Sequence, residues 1–176
     1  MTDQDFNANI KLIKDGDKTG LKNIYEEYMT YIYSVVFTYV KNREDAEDIC
    51  NDFFIKLYNI AADFKEGHGH KGYMATIARN MAIDHIRKHG REELTEDFEA
   101  AGIEPNTRSA EDEAVGTISF DEALAMLKPP QPEIVNMKLM GQLSFKEIAE
   151  TLKLPMGTVT WHYREAVKKL RRYVCA

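Results

Sequence analysis

From Thr158 to Arg172 the chain spaces side chains that can address nucleic acid at the pitch of a helix. Thr158, Trp161, Glu165, Lys168 and Arg172 recur every three or four residues, with Thr160, His162 and Arg164 beside them. Hydroxyl and aromatic groups at the start of such a stripe suit base edges in a DNA groove, and cations towards its end suit phosphates. Lys168, Lys169, Arg171 and Arg172 are the phosphate candidates. A second stripe, Tyr73, Thr76, Asn80, Ile83 and Arg87, combines an aromatic, an amide and a base. His68 and His70 lie among glycines with no further metal ligand nearby, which does not make a zinc site. A loop histidine that tunes a DNA contact through its charge is the better reading. No nucleophile–base pair, phosphate-cradling glycine loop or paired-carboxylate motif occurs. The expectation is therefore no catalytic residue, no metal and no cofactor.

The elements that must carry these residues read as helices throughout. Leu21, Ile24, Tyr25, Tyr28, Ile32, Val35, Val36 and Tyr39 recur at spacings of three and four, which predicts an amphipathic helix over 21–40. A turn over 42–45 precedes a helix running to about Ala61, with Ala46, Ile49, Cys50, Phe53, Leu57 and Ile60 on its inner face. Its outer face bears Glu44, Asp48, Asn51, Asp52 and, in their midst, Ile55. Glycines and histidines over 63–72 predict a loop. A third helix follows to about Lys88, with Met74, Ile77, Ala78, Met81 and His85 inward. Ser119 starts a short helix, and Pro132 suits the first turn of one ending near Met140.

Ser144 and Glu147 form a capping-box pattern ahead of Ile148, Ala149 and Leu152. The connection 154–157 contains Gly157, read as permitting the sharp turn, and Thr158 is read as the cap of the last helix. The buried stripe of that helix is Val159, Tyr163, Ala166 and Leu170. Two short helices joined in this way predict a helix-turn-helix that docks on duplex DNA. The fold class is thus all-α: two small helical domains, 1–91 and 119–176, joined by a flexible acidic linker over 92–118.

Composition bounds the rest. The 176-residue chain is 44% hydrophobic, enough for a core. Its net charge of −6 argues at first against DNA, yet nine acids against one base, Arg108, fall between Glu92 and Glu113. That strap outweighs the total and leaves the C-terminal region basic. Two distant cysteines, Cys50 and Cys175, predict no disulfide framework and suit a reducing cytoplasm. The first fifteen residues lack the apolar run of a signal peptide. The most apolar stretch, 31–40, is too short to cross a bilayer, so no direct membrane insertion is expected.

Taken together, the blocks Asp45-Ala46-Glu47-Asp48-Ile49, Phe53-Phe54 and Ile77-Ala78-Arg79-Asn80-Met81-Ala82-Ile83-Asp84 resemble the extracytoplasmic-function (ECF) class of bacterial sigma factors. So do Leu143-Ser144-Phe145-Lys146-Glu147-Ile148-Ala149 and Gly157-Thr158-Val159. The resemblance spans about 21–174, with both blocks in the family's order. It implies a transcription initiation factor that binds core RNA polymerase and recognises and melts promoter DNA. It places core polymerase on Asp48, Asn51, Asp52 and Ile55. It places the unpaired strand of the downstream element on Tyr73, Thr76, Asn80 and Arg87. It places the upstream element on Thr158, Thr160, Trp161, Arg164, Lys168 and Arg172. It also implies an anti-sigma factor as a partner, and an acidic linker that follows polymerase channels otherwise occupied by nucleic acid.

The sequence departs from the family in three places. Tyr73 stands where tryptophan is usual and His70 where a bulky apolar residue is usual. Thr160, Trp161 and His162 replace early bases of the recognition helix, and Glu165 and Val167 replace further ones, which predicts weak upstream binding without polymerase. The competing reading is a stand-alone helix-turn-helix regulator that binds duplex DNA without polymerase. Such a protein needs a dimer interface, and no heptad pattern supplies one.

Overall fold

The computed structural model describes residues 1–64, 69–96 and 119–174, and among them every regular element is helical. The elements are α1 (Asp3–Lys14), α2 (Thr19–Val40), α3 (Arg43–Ile60), a single 3₁₀ turn (Ala61–Asp63), α4 (His70–Glu96), α5 (Phe120–Ala125), α6 (Gln131–Leu139), α7 (Phe145–Leu152) and α8 (Met156–Val174). Most of the expected linker, 97–118, lies outside the described residues, as do His68 and Cys175.

The helix α1 precedes the first helix expected, the one over 21–40. Thr2 caps it in a capping box with Asp5, and Phe6, Ile10 and Ile13 drive it into the core. It crosses α2 at Gly20, where an added Cβ would lie 2.3 Å from the Asn9 carbonyl oxygen. Only glycine allows the two backbones this close. The N-terminal unit therefore has four helices rather than three. Its centre is α2, whose Ile24, Tyr28, Ile32, Val35 and Val36 meet α1, α3 and α4.

The inner face of α3 is as expected, but the helix begins at Arg43, so 43–45 are its first turn and not a connecting turn. Asn42 caps it by accepting from the Glu44 amide, and Ala46, Ile49, Cys50, Phe53 and Leu57 are buried. Burial pushes the Cys50 thiol up to about 12, so it behaves as a small apolar group.

In α4 the buried stripe differs. Met74, Ala75, Ala78 and Ala82 are fully buried, whereas Ile77, Met81 and His85 are only partly so. Small side chains there allow close approach to α2. The helix is also covered from a second side, because α5–α8 pack onto α1–α4. Ile134, Met137, Leu143, Ile148 and Val159 share one continuous core with the N-terminal helices. Gly141 lies against Tyr31, its hypothetical Cβ 2.7 Å from the ring. The helix also continues to Glu96, beyond the end near Lys88 that periodicity suggests.

Candidate nucleic-acid and protein interfaces

The pair α7–α8 has the predicted helix-turn-helix form, with a different turn. The Ser144 hydroxyl accepts from the Glu147 amide, and the Glu147 carboxylate accepts from the Ser144 amide at 2.7 Å. The Ser144 hydroxyl also donates to that carboxylate at 2.7 Å, and this bond together with the one from the Ser144 amide holds the Glu147 carboxyl below the usual carboxylate range. Lys153, in the left-handed region at φ 55°, closes α7 by donating to Ala149. The α8 helix starts at Met156. Gly157 is therefore inside its first turn with open space at its Cβ position, and does not make the bend. Thr158 is likewise a first-turn residue, not the cap. Ile148 and Val159 bury the crossing, and Phe145 meets Tyr163 edge to face at 5.3 Å.

On α8, Trp161 is 58% exposed, and Arg164, Lys168 and Arg172 are also exposed. With Val167 and Arg171 they line one shallow basic hollow beside Tyr163, apart from Trp161, which stands a turn before it. Thr158 and Thr160 are half-buried. The Thr160 hydroxyl donates within its own helix, to the Met156 and Gly157 carbonyls. That leaves its methyl group, not its proton, for an outside partner. Lys169, one of the phosphate candidates, donates to Gln131 at 3.0 Å and so braces α8 on α6.

On α4, Asn80 and Arg87 are exposed, while Tyr73 and Thr76 are half-buried. Tyr73 meets Phe64 edge to face at 5.4 Å, and Thr76 donates to the Gly72 carbonyl. His70 corrects an expectation. It is a buried first-turn residue of α4, 3% exposed, and not a loop histidine facing DNA. Its ring stacks on Phe6 at 4.5 Å, and its nitrogens bond to Asp3 and to the Tyr28 hydroxyl. The apolar position of the family is thus filled by a histidine whose polar atoms are satisfied inside. Desolvation pushes His70 down from the ordinary histidine range, outweighing the Asp3 carboxylate, which pulls it up.

On α3, Asp48, Asn51, Asp52 and Ile55 all face solvent, and Ile55 is 60% exposed. Two neighbours escaped the sequence reading. Tyr58 is 38% exposed and Tyr25 of α2 is 40% exposed, lying 4.8 Å from the Phe54 ring. Tyr58 stands three residues after Ile55, so its spacing was available as a signal. Tyr25 looked like core because the α2 pattern runs on all round. An apolar centre with an acidic and amide rim has the anatomy of a protein-docking patch.

Two family models match separate stretches of the chain. Sigma-70 region 2 matches residues 24–92, and sigma-70 region 4 matches residues 117–170. The ECF RNA polymerase sigma factor SigW of Bacillus subtilis (strain 168) is 30% identical, over 93% of this chain and 95% of its own. In fold, the chain is similar to the sigma factor RpoE solved with the anti-sigma factor NepR from Bartonella quintana. That match has a TM-score of 0.62 and 23% identity, covering 88% of this chain and 98% of that one. It is also similar to CnrH solved with the cytosolic domain of CnrY, with a TM-score of 0.65, 15% identity and 96% of each chain covered. No described helix is long and apolar enough to cross a membrane. A helix-turn-helix with a basic outer face, an N-terminal unit with an acid-rimmed apolar patch, and a relative matched along nearly its whole length lead to one assignment: the chain belongs to the ECF RNA polymerase sigma factors.

Proposed function

We propose that this sigma factor docks on core RNA polymerase through α3 and reads promoter DNA through α4 and α8. Asp48, Asn51, Asp52 and Ile55, with Tyr58 and Tyr25 beside them, form the polymerase face. Tyr73, Thr76, Asn80 and Arg87 receive the unpaired downstream strand, with stacking from the aromatic and hydrogen bonds from the amide. Trp161, Arg164, Lys168 and Arg172, flanked by Thr158 and Thr160, take the upstream duplex. The functional units are 1–91, the linker 92–118 and 119–176. The chain carries no chemistry of its own; polymerase makes the bonds, in the cytoplasm.

One observation supports the reading above the others: an isoleucine 60% exposed among acids on α3, in the same chain as a basic recognition helix. A stand-alone regulator has no use for the first. An anti-sigma factor completes the proposal, by extension from the two neighbours solved with such partners. The test is run-off transcription from a library of random promoters with holoenzyme reconstituted from core and this chain. Discrete start sites that vanish without the chain are expected. Transcription indistinguishable from core alone overturns the reading.

A further inference from the structure

The C-terminal unit packs along one side of α4. Gly72, Thr76, Arg79 and Ile83 follow at spacings of four, three and four, so they share that side. All four are half-buried. A Cβ on Gly72 would lie 3.0 Å from the Thr151 hydroxyl of α7. Two turns on, Arg79 lies beside Glu133 of α6, with Nε 3.8 Å from Oε2, and the Glu133 carboxylate also accepts from the Tyr39 hydroxyl. The Arg79 Nε also donates to the Tyr39 hydroxyl at 2.9 Å, and its guanidinium carbon sits 5.9 Å from the Tyr39 ring centroid. The Glu133 side chain is only 14% exposed. Next in sequence to Arg79 stands Asn80, exposed on the neighbouring side of the same helix.

This contact surface is not finished like an obligate core. Tyr31 Oη and Asn136 Oδ1 are buried there without a hydrogen-bond partner among the described residues. The Asn136 amide reaches across only to the Thr38 hydroxyl, at 3.3 Å. A buried polar atom without a partner regains one from water when a contact opens, which lowers the cost of separating the two units. A guanidinium recognises carboxylate and phosphate by the same fork of donors.

We propose that Glu133 is an internal stand-in for a nucleic-acid phosphate. In the closed form it holds Arg79 against α6, and separation of the two units hands Arg79 to the backbone of the single strand received by α4. Arg79 is then a DNA contact beyond those assigned above, and Glu133 is the group that withholds it. The proposal rests on the reading of α4 as a single-strand receiver.

A fluorescein-labelled single-stranded DNA of mixed sequence, titrated with the full free chain and read by anisotropy, tests the exchange. Glu133→Gln is expected to bind several-fold more tightly than the parent and to steepen the salt dependence by about 0.7 in the logarithmic slope, the value for one added phosphate contact on a single strand. The gain should vanish in the Glu133→Gln, Arg79→Gln double variant. A gain that persists without Arg79 is a net-charge effect and overturns the proposal, as does no gain at all. Hydrogen exchange on the unaltered chain gives a second reading that needs no variant. Saturating oligonucleotide should raise exchange in α6 and α7, and unchanged exchange overturns the opening step. Wild-type run-off transcription separates the two failures. If promoter-specific initiation occurs but the coupling is absent, only the Arg79 exchange falls.

Discussion

Removing the Ile55 side chain should release this protein from core polymerase while leaving it folded. Ile55 is 60% exposed in the free chain, so truncation creates no cavity and costs the fold within about 0.5 kcal/mol. Docking changes the account. Full burial of an isoleucine side chain is worth about 1.5–3 kcal/mol, and the fraction still exposed here has about 1–2 kcal/mol left to gain. Ile55→Ala therefore raises Kd for core polymerase roughly 5- to 30-fold, at about 1.4 kcal/mol per decade. Ile55→Asp goes further, because a carboxylate one turn beyond Asp52 enters a dry contact unpaired, and the loss should be on the order of 100-fold or more. The assay is anisotropy of the labelled chain titrated with core polymerase, alongside thermal melting followed by circular dichroism. Binding of Ile55→Ala within about twofold of the parent, at an unchanged melting temperature, refutes the assignment of α3 as the docking face.

Three further outcomes are expected. Trp161→Ala should keep the melting temperature of the parent yet lower promoter-dependent run-off product by roughly 5- to 30-fold, the worth of one good base contact; full activity would remove Trp161 from the DNA interface. Ser144→Ala should cost about 1 kcal/mol of stability, because it removes the hydroxyl that caps α7 and leaves Glu147 only the bond from the residue 144 amide, and a melting temperature equal to the parent's would contradict the role of this box. Acid should destabilise the protein through His70, whose value in the fold is lowered by burial. The unfolded chain then binds the proton more readily, so the neutral ring contributes stability above an ordinary histidine value of about 6.5, and that stability is lost as pH falls through the folded value. Melting temperatures measured from neutral to mildly acidic pH should fall for the parent and fall less for His70→Gln; equal slopes would remove His70 as the cause.

What the sequence by itself determined were the features that depend on near neighbours along the chain. The helix period over 21–40 and the one that runs to about Ala61 are local, and so is the Ser144–Glu147 capping box. The acids of α3 had to face water, since a carboxylate without a partner is too costly to bury, and that alone exposed Ile55 with them. The same local logic could have found α1 from Phe6, Ile10 and Ile13 behind a Thr2–Asp5 box. Tertiary structure alone decided the fate of residues whose transfer free energy is close to balanced. His70 becomes core because Asp3 and Tyr28, 67 and 42 positions away in the chain, satisfy its ring. Arg79 is half-buried because Glu133 and Tyr39 meet it there. The inner stripe of α4 turns towards Ala75 and Ala82 because a second unit covers the helix from another side. A period records which face is apolar. It does not record which distant side chain will supply the missing hydrogen bond, and for histidine, arginine, threonine and tyrosine that partner decides between water and core.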